Sequence, residues 1–273
     1  MTAVIREAKP EDRPFIEEIA RLTWGGEDYL TRVFESWVKD GHFYVLELEG
    51  KVIGTAKLTL LPDKVGWLEG LRVHPDYRGK GFGRMIHNFM LQKGEELAKE
   101  GLINALEFST YFLNKESIAM AKKDGFKIVK RYYIMGKAVE GIKPSKPSNS
   151  TIISLEELEY EEYIPVGWKF VHKVPEALDW LRRKAIIKEC NGAKFMMPKD
   201  SESAFVPFRL SKPYVEQLLP CMGHEASNAN QKYIEIMVPE ERKELLEPLR
   251  EFGFEVWDNP QEPNVMVFRK PLV

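Results

Sequence analysis

Gly79, Gly81 and Gly83 stand at alternate positions, flanked by Arg78, Lys80 and Arg84. Glycines so spaced leave the backbone amides around them unshielded. The residues before them, 66–73, read as a strand. Those after, 81–100, carry Met85, Ile86, Phe89, Met90 and Leu97 at helical spacing. The chain must therefore pass from strand through a glycine loop into a long amphipathic helix. The first N–H groups of such a helix lack intrahelical partners, and its macrodipole end is positive. Loop and helix start together form a site for a phosphate or diphosphate, with Arg78, Lys80 and Arg84 adding charge. A plain glycine turn with solvated charges is the alternative.

Two familiar phosphate loops do not fit. A P-loop needs Gly-Lys followed by Ser or Thr, and Gly79-Lys80 is followed by Gly81. A dinucleotide fingerprint needs glycine at Arg84 or Ile86.

The elements around the loop follow from pattern and punctuation. Residues 4–7 read as a short strand, a helix begins at Pro10-Glu11-Asp12, and a second helix covers 28–39. Strands at 42–48 and 51–61 meet at Glu49-Gly50, a hairpin signal, and 66–73 follows, so three antiparallel strands in succession are expected. After the long helix come a strand at 103–109, a helix at 114–124 closed by Gly125, and a strand at 126–137.

Residues 141–150 are rich in Pro and Ser and nearly free of apolar side chains, and read as a linker. The expected domains are then 1–140, the linker, and a smaller α+β domain over 151–273. Within that second part, helices are expected at 175–184 and 212–219, a strand at 204–210, and a hairpin over 186–197 turning at Asn191-Gly192. Its tail reads strand (233–238), helix (240–252), Gly253-Phe254 and two strands, an order that repeats strand, helix, Gly125-Phe126, strand. A degenerate internal repeat and chance both remain open.

Composition narrows the class. The 273 residues are 44% hydrophobic and 30% charged, a globular profile with material for a sizeable core. A net charge of −2 shows no basic excess for nucleic acid or anionic membrane. No run of about 18 apolar residues is present, and Met1 to Asp12 has no apolar signal core, so a cytoplasmic protein is expected, with no membrane partner. Cys190 and Cys221 form no metal-ligand pattern and are read as reduced thiols, with a disulfide as the minor reading; no metal site is expected. Abundant Lys and Glu with few Gln hint at a heat-adapted source.

The pattern Arg78-x-x-Gly81-x-Gly83, after a strand and opening a long helix, resembles the acetyl-CoA loop of the GNAT superfamily of N-acetyltransferases. The order of elements over roughly the first half also matches that fold, an α/β (α+β) architecture with a mixed, mostly antiparallel sheet flanked by helices. Gly26-Glu27-Asp28-Tyr29-Leu30, Val52-Ile53-Gly54 and Leu68-Glu69-Gly70-Leu71-Arg72-Val73 look like the histidine N-acetyltransferase-like branch, whose members carry an extra C-terminal domain.

The resemblance implies roles. Acetyl-CoA would be the cosubstrate, its diphosphate on amides of Gly79, Lys80, Gly81, Phe82, Gly83 and Arg84, with Arg78 adjacent. Its pantetheine arm would pair with the strand at Leu71, Arg72 and Val73 as an added strand does. An N–H near Leu71 would stabilise the oxyanion. Asn114 matches the family's asparagine at the start of the next helix, though a helix N-cap is the simpler reading; Ser117 is a further cofactor candidate or only makes room. The attacking amine must lose a proton, and Glu69 is the candidate base because simple alternation puts it on the face of Leu71 and Val73. Asp28 and Tyr29 lie in the helix pair that usually covers the acceptor, where they could hold an amine and wall the pocket, or be surface charge and core aromatic. The family's tyrosine acid is absent, since Ala121 stands in its place; Tyr111, Tyr29 or an unprotonated thiolate remain.

The function so implied is acetyl transfer to a small primary amine, foremost the α-amine of a free amino acid. Acetylation of a protein N-terminus or lysine, and non-catalytic acetyl-CoA sensing, are the alternatives. His172 and His224 read as ordinary packed or surface histidines.

Overall fold

The computed structural model describes residues 2–26, 28–199 and 204–272. Glu27, part of the Gly26–Leu30 motif, lies outside them. Two compact units are present, Met1–Phe108 with Arg269–Val273, and Ser109–Phe268.

The first unit begins with β1 (Ala3–Glu7), then α1 (Arg13–Arg21) and α2 (Leu30–Asp40). β2 (Phe43–Leu48), β3 (Lys51–Leu60) and β4 (Val65–Val73) follow, then α3 (Phe82–Lys99) and β5 (Ala105–Tyr111), which the unit boundary crosses. The strand order is β1-β2-β3-β4-β5. The first four strands are antiparallel, and β4 pairs parallel to β5. The β2–β3 turn has Glu49 at φ 51° and Gly50 at φ 82°, the twist a two-residue hairpin needs.

Helices cover both faces of this sheet. The apolar stripe of α1 and α2 (Ile16, Ile19, Val33, Phe34, Trp37) packs with Phe43, Val45 and Val52. On the other face α3 buries Ile86, Met90 and Leu97. The approach is close: a Cβ on Gly54 would meet Ile86 Cδ1 at 2.6 Å and the Arg72 carbonyl oxygen at 3.0 Å, so a larger residue there would force its neighbours to shift. Met85, expected on the apolar face, is 43% exposed.

The second unit holds α4 (Lys115–Lys123), β6 (Lys127–Ala138), β7 (Ser148–Asn149), β8 (Tyr163–Val166), β9 (Lys169–His172) and α5 (Ala177–Lys184). β10 (Ala185–Cys190), β11 (Ala193–Pro198), β12 (Val206–Pro207), α6 (Lys212–Asn228), β13 (Tyr233–Pro239), α7 (Leu246–Arg250) and β14 (Glu255–Val256) follow, and β15 (Val265–Pro271) is crossed by the unit boundary. β6 pairs antiparallel with β13 and β14; β12-β11-β10-β7 form a separate sheet; β8 and β9 form a hairpin. The Asn191-Gly192 turn is present, both residues at positive φ.

Residues 141–150 lie inside this unit. Ser148–Asn149 pairs with β10, and Ser145 N–H donates to Pro220 O at 3.0 Å. Three expectations shift in detail. The helix at 212 continues through Pro220 to Asn228. The strand at 204–210 shortens to Val206–Pro207 beyond an isolated bridge at Ala204. The helix at 240–252 is a 3-10 turn, Glu240–Leu245, followed by α7.

The thiol expectation is overturned. Cys190 and Cys221 form a disulfide. Cys190 ends β10 and Cys221 lies on the buried face of α6, within the core that α6 shares with β11 and β13. Thirty-one residues apart in sequence, they are brought together by helix-on-sheet packing that no spacing rule reveals.

Both Gly-Phe junctions end their helices alike. Phe126 N–H donates to Ala121 O and Phe254 N–H to Leu249 O, with Gly125 and Gly253 at positive φ. That is the six-to-one closure of a Schellman cap. Ala121, where a tyrosine acid was sought, is fully buried and serves this cap.

Candidate active site in the first unit

The β3–β4 register passes from Lys57↔Glu69 to Thr55↔Arg72, so Gly70 and Leu71 together stand opposite Ala56. This is a β-bulge, and its first residue, Gly70, has φ +66°, a conformation side chains resist. Thr55 Oγ1 donates to Gly70 O at 2.7 Å and pins it.

The bulge changes which residues share a face. Directly opposed residues point the same way, so Glu69 and Arg72 project with Lys57 and Thr55. Val73 projects to the other face, where its Cγ2 is 3.7 Å from the Cβ position of Gly83. The alternation that placed Glu69 with Leu71 and Val73 is therefore corrected: the inserted residue breaks it.

β4 pairs with β5 only from Val65↔Ala105 to Trp67↔Glu107 among the described residues. Beyond Trp67 the described β4–β5 ladder ends, while β4 itself runs on to Val73. Three carbonyls on this stretch already accept from side chains: Gly70 O from Thr55 Oγ1, Leu71 O from Arg72 Nη1 and Val73 O from Arg78 Nε at 3.1 Å.

The glycine loop has the form expected of an anion cradle. Arg78 N–H is bonded to Pro75 O, which fixes the turn before it. Gly79 (φ +72°) and Gly81 (φ +86°) are left-handed, and a Cβ at either would meet nothing within 4 Å. Gly81 is the N-cap of α3, no side chain caps that helix, and the first helical bond runs from Met85 N–H to Gly81 O. Among the described residues no backbone or side-chain acceptor is found for the N–H groups of Gly79 through Gly83. Lys80 Nζ bonds Asp76 O at 2.9 Å and lies over the Tyr77 ring, which holds its charge beside the loop.

On the Glu69 face lies a second cluster. Glu69, half-buried, accepts a hydrogen bond of 2.6 Å from Thr59 Oγ1. Arg72 donates through Nε to Asp28 Oδ2 at 2.7 Å and through Nη1 to Leu71 O at 3.0 Å. Its guanidinium carbon is 4.1 Å from the Trp24 ring centre and 5.6 Å from that of Tyr29. Burial works against this cation, but Tyr29 and Asp28 outweigh it and raise the Arg72 pKa. Asp28 also accepts from Leu30 N–H, so both its oxygens are engaged. Arg72 thus belongs with Asp28 and Tyr29, and its side chain turns away from the α3 face.

The remaining candidates lie in the second unit. Asn114 caps α4, its Oδ1 accepting from Ser117 N–H at 3.3 Å. The Tyr111 hydroxyl donates to Asp258 at 2.7 Å, and burial plus that carboxylate push its pKa up, which disfavours it as an acid. His172 stacks on Tyr163 and His224 bonds Asn228. Among the described residues no His, Cys, Asp and Glu group could hold a metal, and no helix is long and apolar enough to cross a membrane.

Sequence reasoning missed Trp24, Thr59 and the bulge. A glycine inside a strand pattern was the available sign of the bulge; nothing local marked Thr59, which reaches Glu69 across the ladder.

Residues 11–126 match the acetyltransferase (GNAT) family. Histidine N-acetyltransferase of Oreochromis niloticus is 35% identical over 85 residues, 30% of this chain and 25% of that protein. The protein of the same name from Xenopus tropicalis is 24% identical over 197 residues, 62% of this chain and 61% of that protein. The matches thus span about a quarter and about three fifths of these two curated relatives. A crystal structure from Thermoplasma acidophilum, of a protein provisionally named an acetyltransferase, aligns with a TM-score of 0.63. It is 21% identical and covers 98% of this chain and 99% of its own, a likeness of fold.

Proposed function

We propose that this chain, whose residues 11–126 match the acetyltransferase (GNAT) family, moves the acetyl group of acetyl-CoA to the primary amine of a small molecule, foremost the α-amine of a free amino acid. The observation that carries the reading is the row of amides from Gly79 to Gly83 with no protein acceptor among the described residues. Open space at Gly79 and Gly81 lets a diphosphate approach those amides, and the α3 dipole favours its charge.

Bound there, acetyl-CoA supplies the activated thioester. The end of β4 beyond its ladder with β5 orients the pantetheine arm, and the Leu71 N–H at the bulge donates to the acetyl oxygen as charge develops. Glu69 takes the proton from the acceptor ammonium on the face it shares with Arg72, directly or through one water. Asp28, Arg72 and Trp24 form the wall on that face; with its carboxylate bonded, Asp28 acts by positioning Arg72. Tyr29 is the better candidate to protonate the departing sulfur, because Tyr111 is held by Asp258. The free amino acid is favoured as acceptor by the two relatives named histidine N-acetyltransferase.

Acetyl-CoA should raise the melting temperature, and Gly81→Glu should abolish that rise by filling the cradle. Because Glu at φ +86° also strains the loop, the readout is the ligand-induced shift and not the melting temperature itself. An undiminished shift in the mutant would overturn the loop assignment. Thiol release measured over free amino acids including histidine, polyamines and peptides then assigns the acceptor; release with peptides alone would reject the small-molecule reading.

A further inference from the structure

The bulge at Gly70 sets two opposite charges side by side in the first unit. Glu69 stands opposite Lys57 and Arg72 opposite Thr55, and Lys57 and Thr55 are alternate residues of β3. Glu69 and Arg72 are therefore neighbours on one face, with backbones about 7 Å apart along the strand. Without the inserted residue they would point to opposite faces.

Arg72 retains donors that the protein does not use. Nε donates to Asp28 Oδ2 and Nη1 to Leu71 O, and Tyr29 supports the charge. With one donor assigned to Tyr29, two of the guanidinium's five N–H groups remain. The side chain is 13% exposed, and Nη2 is not among the buried atoms that lack a partner, so Nη2 opens to solvent. The bond to Leu71 O holds the guanidinium against the bulge, beside the N–H proposed to stabilise the oxyanion. Trp24 lies over it, 63% exposed and at φ 46°, a conformation that a bulky side chain resists.

Charge decides which amine fits. Lys57, 2% exposed and directly across from Glu69, bonds Gly41 O and Leu58 O, which favour its charged form. Lys57 and Arg72 thus balance Glu69 and Asp28, and a zwitterion leaves that balance intact. A diamine would bring a further positive charge beside two buried ones, which is costly.

We propose that Arg72 binds the α-carboxylate of the acceptor, so that zwitterionic α-amino acids are substrates and amines without an adjacent carboxylate are poor ones. This rests on the acetyl-transfer reading above and adds the group that selects the amine. Ammonium and carboxylate share one carbon in such a molecule, which suits neighbouring partners: Glu69 takes the ammonium and Arg72 the carboxylate. Asp28, 5% exposed and engaged through both oxygens, holds the guanidinium in place. An amine farther along the substrate would lie away from the bulge once its carboxylate is held.

Thiol release by the full chain with acetyl-CoA tests this, using L-histidine, L-alanine, the amide of each, and putrescine. For whichever acid turns over, kcat/KM should exceed that of its amide about tenfold or more, chiefly through KM, because a charge-assisted bond is lost. The amine of an amide is the more readily deprotonated, so proton transfer alone would favour the amide. The Asp28→Asn, Arg72→Gln double variant removes both buried charges and leaves no carboxylate stranded; in it the preference for the acid should vanish. Arg72→Lys, which keeps a cation, should retain part of it. If the double variant does not fold, the parent's own ratio and putrescine decide. Amides and putrescine used as well as the acids would overturn the inference and leave acetyl transfer to small amines standing. A preference that survives in the double variant would overturn the role of Arg72. No thiol release with any of these amines would overturn both readings.

Discussion

Gly70 is where a single atom would do most damage. A Cβ there would meet Trp37 at 2.5 and 2.7 Å, and φ +66° already disfavours any side chain. Gly70→Ala should cost about 2–4 kcal/mol, combining the left-handed penalty with overpacking against a buried ring. Denaturant unfolding measures it, and a loss below half a kilocalorie (~0.5 kcal/mol) would show that the bulge is not held as described. Its neighbour Glu69 is a question of chemistry instead. Glu69→Gln should retain the acetyl-CoA-induced melting shift while turnover at neutral pH falls about 10²–10⁴-fold. Equal rates would remove Glu69 as base. The Thr59 hydroxyl survives in that variant as a partner for the amide, so the fold should hold.

At the scale of elements, two helix starts are built in opposite ways. The turn leading into α1 is sealed: Asp12, 4% exposed, accepts two bonds of 2.8 Å from Arg6 and one of 2.8 Å from Lys9 N–H. The start of α3 has no such seal. The difference fits the proposed function, in which the start of α3 holds the diphosphate. Burial opposes the Asp12 carboxylate, but Arg6 and Lys9 prevail and lower its pKa below 3.8. A depressed folded value means that its stabilisation is complete above the unfolded pKa and is lost as pH falls through the folded one. Asp12→Asn should therefore cost about 1.5–3 kcal/mol near neutrality, with the gap to the parent closing as pH drops below 3.8. A gap unchanged by acid would show that the ion pair contributes nothing.

For the whole molecule, the largest consequence concerns the Cys190–Cys221 bond. Closing a loop of that length stabilises by about 3–4 kcal/mol on the chain-entropy account. Reduction by dithiothreitol should lower the melting temperature by several degrees, and the Cys190→Ser, Cys221→Ser double variant should match the reduced parent and ignore reductant. An identical melt with and without reductant would mean that the bond adds no net stability. The two compact units otherwise carry separate cores, one around Ile16, Val33, Trp37 and Val45, the other around Met135, Phe195, Cys221 and Ile236. The second was the less legible: the β8–β9 hairpin and β7 escaped sequence reasoning, because strands of four and two residues are too short to show a period.

Local patterns in the chain alone determined much. The succession of strands and helices through β6, both Gly-containing hairpin turns, and the glycine loop at the start of α3 depend on φ preference and apolar period within a few residues. Tertiary structure alone decided the rest. It placed Glu69 beside Arg72 and not beside Val73, closed Asp28 onto Arg72, and joined Cys190 to Cys221. Each of these turns on a partner tens of residues away, or on one inserted residue that reverses which way a strand's side chains point. Neither is contained in any short stretch of sequence.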